Sequence, residues 1–114
     1  MAVGQLYTVA RVEDVPPGSA RAVRAGEQDV ALFNVGGSFH ATQGNCLHLG
    51  GPLGEGRLDD CVVTCPWHGW QYDVRTGENE FDRALVLETF DVVVEDGDVK
   101  VVLSELGLKE LGRE

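Results

Sequence analysis

Two short segments of the chain each place a cysteine close to a histidine: Cys46-Leu47-His48 and Cys65-Pro66-Trp67-His68. Sixteen residues separate the two segments, which together hold two of the three cysteines and two of the three histidines. Thiolates and imidazoles are the ligands that zinc and some iron–sulfur clusters take from proteins. Because four ligands have to meet at one site, the chain must fold so that these two segments face each other.

The order of the ligands bears on which metal they bind. Zinc fingers keep like ligands together, cysteine with cysteine and histidine with histidine, whereas here each segment mixes the two kinds. In a two-iron cluster, two mixed segments bring both cysteines to one iron and both histidines to the other. The pattern therefore favours a cluster, and a zinc-stabilised interaction module remains the alternative.

Length and charge limit the classes of function. We expect residues 1–114 to form one domain, with a loop-rich subdomain at about 43–80 that carries the ligands. A formal net charge of -10 makes nucleic acid and anionic membranes poor partners and favours a basic protein face.

The chain has no apolar run of roughly 18 residues and no signal-peptide pattern. With two of its three cysteines at ligand spacing, it is expected to be cytoplasmic, where thiols stay reduced.

Short β-like runs recur at close spacing without a long helix between them, which predicts an all-β fold, an antiparallel sandwich or barrel. Hairpin turns are expected at 35–38 and 95–98, where glycines supply positive φ. A loop is expected at 11–19, and a short helix at Leu103–Glu114. The nine predicted strands are Leu6–Ala10, Ala20–Arg24, Val30–Val35, Phe39–Thr42, Val62–Thr64, Gln71–Val74, Leu85–Phe90, Val92–Glu95 and Val99–Leu103.

The two ligand segments, followed by Gly69 and Trp70-Gln71-Tyr72-Asp73, closely resemble the Rieske family. The likeness covers the strand framework from about residue 7 to residue 103, and it implies a single Rieske-type 2Fe-2S cluster. The cysteines would bind the buried iron, and the histidines would bind the outer iron, through whose edge electrons pass. Such ligation gives potentials of about -150 to +300 mV. The four implied ligands are Cys46, His48, Cys65 and His68.

Four positions tune or break the family pattern. High-potential relatives join their cluster loops by a disulfide, but the matching positions are Gly51 and Trp67, which cannot form one. Trp70 replaces a serine that donates to a bridging sulfide in those relatives, so one donor to the reduced state is lost. Tyr72 matches a tyrosine that donates to the first cysteine ligand. We therefore expect a potential in the lower part of the window.

The resemblance implies a soluble Rieske ferredoxin of the ring-hydroxylating oxygenase type rather than an enzyme. An oxygenase needs a second iron on two histidines and a carboxylate, and only His40 remains after the ligands. The chain would carry one electron from an NAD(P)H-dependent flavoprotein reductase to a terminal oxygenase, as a monomer in a dioxygenase system. The alternative is the small subunit of a multi-component reductase such as NAD(P)H nitrite reductase.

The remaining candidates have structural interpretations. Cys61 is expected to be a small buried side chain, and His40 a hydrogen-bonded strand residue. Residues 80–84 replace a proline-rich cover loop, which leaves the shielding on that side in doubt. An acidic rim and an apolar lid are expected near the ligands. Their residues are Asp59, Asp60, Glu78, Glu80 and Asp82 for the rim, and Leu47, Leu49, Pro52 and Leu53 for the lid.

Overall fold

The computed structural model describes residues 4–47, 50–67 and 69–104. Its ordered elements in this part of the chain are antiparallel strands and two short 3-10 turns, Val12–Asp14 and Leu53–Glu55. The strands are β1 (Gly4–Arg11), β2 (Ala20–Ala25), β3 (Gln28–Val35), β4 (Ser38–Gln43), β5 (Arg57–Asp59), β6 (Val62–Thr64), β7 (Gln71–Asp73), β8 (Thr89–Glu95) and β9 (Asp98–Ser104). The all-β prediction is confirmed.

The strands form two sheets of unequal size. Six strands follow the order β1-β9-β8-β4-β3-β2, and the edge strands β1 and β2 approach each other, so this sheet curls into a nearly closed barrel. The smaller sheet has the order β5-β6-β7 and lies within the segment predicted to be rich in loops. Hairpins join β2 to β3, β3 to β4 and β8 to β9, whereas residues 44–88, which contain the smaller sheet, connect β4 to β8.

Strand β3 separates two apolar cores because successive side chains point to opposite faces of a strand. Val30 and Leu32 face the barrel interior, where they pack with Val99 and Val101. Ala31 and Phe33 face the smaller sheet and belong to a second core. The second core also contains both predicted ligand cysteines, which therefore lie on the outer face of β3.

Both predicted hairpin turns are present. Gly36 and Gly37 have φ of 59° and 102° in the β3–β4 turn. Asp96 and Gly97 have φ of 53° and 82° in the β8–β9 turn, a left-handed pair that matches the twist of a two-residue hairpin. Aspartate tolerates this region better than most side chains, so the Asp-Gly dipeptide sets the β8–β9 register.

Two predicted strands, Leu85–Phe90 and Val92–Glu95, are replaced by the single strand β8, and one strand was missed. Segment 85–88 makes isolated contacts instead of a strand: Leu87 N–H donates to Gly77 O, and Val86 forms a single bridge with Glu78. Its apolar alternation arises because Leu87 enters the core while Val86 stays half exposed. The strand Arg57–Asp59 was missed because two charged residues flank its only buried side chain, Leu58.

Two further expectations concern the loop at 11–19 and the helix near the end of the sequence. Residues 11–19 do connect β1 to β2, although Arg11 ends β1 and a 3-10 turn follows it. The terminal helix expected at Leu103–Glu114 lies outside the described residues, apart from Leu103 and Ser104, which belong to β9. Across the described residues, the helical segments are all too short and polar to cross a bilayer.

Candidate metal centre

The two ligand loops are tight turns that each bury a cysteine. In the first loop, Cys46 N–H donates to Gly51 O at 2.8 Å and Gly50 N–H donates to Cys46 O at 3.1 Å. In the second, Cys65 N–H donates to Trp70 O at 2.7 Å. The cysteines are 3% and 1% exposed. Both thiols are therefore held away from water by backbone hydrogen bonds of their own loops.

Gly51 lets the two loops pack directly on each other. A Cβ atom at this position would lie 2.6 Å from Cys65 Sγ and 3.0 Å from the Cβ of Trp67. The first separation is shorter than real Cβ contacts, the second is tighter than most, and Cys65 is buried. Only glycine fits here, so the first loop lies against the second without an intervening side chain.

The Cys46 and Cys65 thiols are neighbours in the same buried core. Burial raises the pKa of the Cys65 thiol, and neighbouring Cys46 raises it further, while the N–H of Trp67, 3.4 Å from Cys65 Sγ, opposes the rise. Two buried thiols side by side do not both ionise without a compensating cation. The thiol pair therefore suits a metal centre, which supplies that positive charge and binds the thiolates.

Tyr72 places a hydroxyl group on the first cysteine. It comes from the middle of β7, is fully buried, and its Oη lies 3.2 Å from Cys46 Sγ. Burial raises the pKa of Tyr72 above its ordinary value, and Cys46 adds to the rise. The phenol therefore keeps its proton, and it is the donor whenever Cys46 is a thiolate. This contact agrees with the geometry expected for Tyr72.

The predicted histidine ligands, His48 and His68, lie outside the described residues, as does Leu49 of the predicted lid. Their neighbours Leu47 and Trp67 are 42% and 48% exposed. The described parts of both loops thus run from a buried cysteine to an exposed surface. The cysteines lie on the core side of the site.

Gly51, Trp67 and Trp70, the positions that depart from the high-potential pattern, lie around Cys65. Gly51 and Trp67 are adjacent across the two loops, and Cys46, Cys61 and Cys65 form no disulfide in the described part of the chain. The loops are therefore joined by packing and hydrogen bonds instead of a disulfide. Trp70 is half-buried against the core that holds the cysteines, and no hydroxyl group stands at this position.

Cys61 and His40 lie outside the cysteine pair. The interpretation of Cys61 as a buried strand residue was wrong: it is half-buried in the turn between β5 and β6. Its backbone carbonyl accepts from Val74 N–H at 2.8 Å. His40 lies in β4 as expected and is half-buried. A polar cavity of about 250 Å³ is lined by His40, Arg75 and Asp91 among other residues.

The acidic and apolar residues near the loops are mostly exposed. Asp59, Asp60, Glu80 and Asp82 are exposed and Glu78 is half-buried, which leaves the acidic rim a prediction about their arrangement. Leu53 of the expected lid is fully buried, Pro52 is half-buried, and Leu47 is largely exposed. All of 80–84 is exposed, and Phe81 at 77% is the most exposed large apolar residue described.

Asn79 is a buried polar residue next to the cysteine pair. The sequence pattern did not identify it. It is 2% exposed and pairs with Tyr72 across an isolated bridge beside β7. Nothing in the segment Gly77-Glu78-Asn79-Glu80 marks this residue as different from an ordinary turn asparagine. The bridge between Tyr72 and Asn79 forms because residues 77–88 fold back over the small sheet.

The chain is similar to characterised ferredoxins over most of its length. It is 39% identical over 95 residues to the ferredoxin CarAc of Metapseudomonas resinovorans, covering 82% of this chain and 89% of that protein. It is 42% identical over 91 residues to the ferredoxin component of biphenyl 2,3-dioxygenase from Rhodococcus jostii (strain RHA1), covering 79% and 85%. Relatives of this group are electron carriers of dioxygenase systems rather than catalysts.

A solved structure has the same fold. The complex of reduced oxygenase and oxidized ferredoxin in carbazole 1,9a-dioxygenase contains a chain that is 38% identical, with a TM-score of 0.76, over 84% of this chain and 91% of that one. The model of the Rieske [2Fe-2S] domain matches residues 5–91, which include all four predicted ligands and Tyr72. With its paired thiols beneath a buried tyrosine, the chain belongs to the Rieske [2Fe-2S] domain family and carries one cluster of that type.

Proposed function

We propose that this protein is a soluble Rieske-type ferredoxin that passes single electrons from an NAD(P)H-dependent flavoprotein reductase to a terminal oxygenase. The observation that carries the proposal is the buried Cys46–Cys65 pair, held under Tyr72 in a chain that matches ferredoxin components along most of their length. A solved complex of a similar ferredoxin with its oxygenase supports the assignment of an oxygenase as acceptor.

The cluster ligands in this proposal are Cys46, His48, Cys65 and His68. A bound 2Fe-2S cluster supplies storage for one electron. The chain binds it through two buried thiolates, excludes water from the cysteine side, and places the Tyr72 hydroxyl where it stabilises added negative charge on Cys46. The histidines, which follow the cysteines in the sequence, would form the side through which partners exchange electrons.

The potential is proposed to lie in the lower part of the Rieske window. Tyr72 is the donor that raises it. The side chain of Trp70 offers no hydroxyl group, and a net charge of -10 disfavours adding an electron. The absence of a hydroxyl group at Trp70 and the net charge therefore lower the potential, and the Tyr72 hydroxyl group raises it.

The proposal also covers the domain organisation, the localisation and the partners of the protein. Residues 1–114 form a single domain, with the cluster-binding subdomain at about 43–80, and the protein acts as a cytoplasmic monomer. Exposed apolar side chains at the loops, Leu47 and Trp67, suit transient contact with a partner. Since the chain is strongly acidic, the partners are expected to present basic faces.

Reconstitution tests this function. The purified protein is mixed with NADH and the flavoprotein reductase of a biphenyl-type dioxygenase system, and its visible absorption is followed. We expect one-electron bleaching, and recovery when oxidised oxygenase is added. Cys46→Ser is the control without a complete ligand set. Copurification with a large haem- or flavin-bearing subunit, without free exchange of electrons, would instead identify the nitrite-reductase type of small subunit.

A further inference from the structure

Asn79 stands directly opposite Tyr72 on the side away from β6. Asp73 N–H donates to Glu78 O at 2.9 Å, and Glu80 N–H donates to Gln71 O at 2.8 Å. These two bonds enclose Tyr72 and Asn79 as a non-hydrogen-bonded antiparallel pair, the type in which opposite side chains come closest. Both residues are buried, so their polar groups have only each other and the protein interior as surroundings.

Backbone hydrogen bonds fix the orientation of the Asn79 side chain. Its Oδ1 accepts from Phe81 N–H at 2.8 Å and from Asp82 N–H at 2.9 Å. An amide nitrogen cannot accept these bonds, so the oxygen must face the 79–82 turn and the nitrogen must face the other way. Within the described part of the chain, Nδ2 makes no hydrogen bond of good geometry. A buried donor in this state is costly.

We propose that Asn79 is a positioning residue for the redox centre: in the cluster-loaded protein its Nδ2 group donates to Tyr72 Oη and so directs the phenol proton onto Cys46 Sγ. The inference rests on the proposed function, since it concerns the potential of the bound cluster. It adds a residue that acts through Tyr72 and touches neither the ligands nor the metal.

The Asn79 amide nitrogen can direct the Tyr72 hydroxyl group because it only donates hydrogen bonds. The Asn79 nitrogen has no lone pair to accept a hydrogen bond, so the phenol cannot turn its proton toward it. A hydroxyl that accepts one hydrogen bond is also a stronger donor for the next. Burial has the largest effect on the pKa of Tyr72 and raises it, Cys46 raises it further, and the backbone N–H of Leu47 and then the Asn79 side chain act to lower it. The Tyr72 hydroxyl is thereby committed to the sulfur, and the reduced state is stabilised.

A double-mutant cycle on the purified holoprotein tests this role. Asn79→Ser retains an oxygen for the 79–82 turn but is too short to reach the phenol. We expect Asn79→Ser to lower the midpoint potential, by less than Tyr72→Phe does. In the Tyr72→Phe background the same substitution should leave the potential unchanged. No shift in the wild-type background, or an equal shift in both backgrounds, would overturn the proposal.

Asn34→Ser is the matched control. Asn34 is also a buried asparagine, and its Oδ1 also accepts a turn N–H, that of Gly37 at 2.7 Å, but it lies in β3 and its Nδ2 donates to Val15 O at 2.7 Å. Its replacement should lower stability and leave the potential unchanged. A potential shift equal to that of Asn79→Ser would mean that any loss of packing produces the effect, which also overturns the proposal.

A second variant covers the case in which Asn79→Ser does not fold. Asn79→Asp keeps both acceptor bonds of the turn, and its second oxygen would accept the phenol proton and draw it away from Cys46. We expect a larger fall in potential with Tyr72 present than in the Tyr72→Phe background, and equal falls would contradict the role.

If purified wild-type protein contains no iron or sulfide, the proposed function fails. If the cluster is present without coupling, only this inference fails.

Discussion

The cysteine thiols become usable ligands through the residues that contact them. Gly51 removes the side chain that would separate the loops, and Tyr72 supplies a hydroxyl 3.2 Å from Cys46 Sγ. The contact of Tyr72 with Cys46 was predictable because the motif places this residue at a fixed distance after the second histidine. Asn79 was not, because its position depends on the long return of 77–88 over the small sheet.

Tyr72→Phe removes the hydroxyl group and keeps the ring. We expect the midpoint potential to fall by about 60 mV, the equivalent of about 1.4 kcal/mol for one electron, which is the size of a hydrogen bond to a charged group. Protein-film voltammetry measures it, and the unchanged visible spectrum checks that the cluster is intact. An unchanged potential would mean that the 3.2 Å contact does not act on the redox centre.

Gly51→Ala tests the close approach of the two loops. The added Cβ would meet Cys65 Sγ, so we expect loss of the cluster and a fall in stability of about 3 kcal/mol, typical of overpacking in a core. Iron content and thermal unfolding measure both effects.

Gly50→Ala is the control for Gly51→Ala. Gly50 has a φ of 72° and open space around it, so alanine there should cost about 1 kcal/mol of backbone strain and leave the iron content unchanged. Equal loss of iron in the two variants would contradict the steric account of Gly51.

At the scale of elements, the barrel strands were predictable because their apolar residues alternate and glycine-containing turns bound them. The small sheet was harder to predict, since its strands have three residues each and β5 exposes both of its charged residues. Segment 85–88 misled the prediction because one buried leucine and one bridge imitate strand alternation. Such segments are defined by what packs against them rather than by their own pattern.

The turn after β7 depends on the Asp73 carboxylate, which accepts from Arg75 N–H at 2.9 Å and from the guanidinium group at 2.8 Å. The Arg75 guanidinium holds the pKa of the Asp73 carboxyl below its usual value. A carboxylate with a lowered folded-state pKa stabilises the protein above its unfolded pKa, about 3.9, and loses this effect as the pH falls through the folded value.

Asp73→Asn should therefore lower stability by about 1 kcal/mol after allowance for solvent screening. The difference from the wild type should stay constant between about pH 8 and pH 5 and shrink only below about pH 4. Urea unfolding across this range measures it. A difference that already declines between pH 8 and pH 5 would contradict the lowered pKa.

At the scale of the whole molecule, charge is the property that most affects partners. A net charge of -10 on 114 residues creates a field that attracts basic surfaces, and salt screens this attraction over about 10 Å at 0.1 M. We expect the second-order rate of reduction by the reductase to fall severalfold between about 50 and 500 mM salt.

The acidic residues near the loops should account for part of that salt dependence. The double substitution Glu80→Gln and Asp82→Asn removes two exposed charges, and Glu13→Gln, at an exposed residue in the 3-10 turn after β1, is the control. Stopped-flow absorption gives the rates. A rate that rises with salt, or an equal effect of the control, would contradict docking through an acidic face.

The central claim is that two thiol–imidazole pairs bind one 2Fe-2S cluster. Pulsed electron paramagnetic resonance of the dithionite-reduced protein, labelled with ¹⁵N at histidine, tests it most directly. The account predicts a spin signal coupled to two histidine nitrogens, with one coupling lost in each of His48→Ala and His68→Ala while His40→Ala keeps both. A protein without a spin signal that holds one zinc ion, or a cluster without histidine coupling, would contradict it.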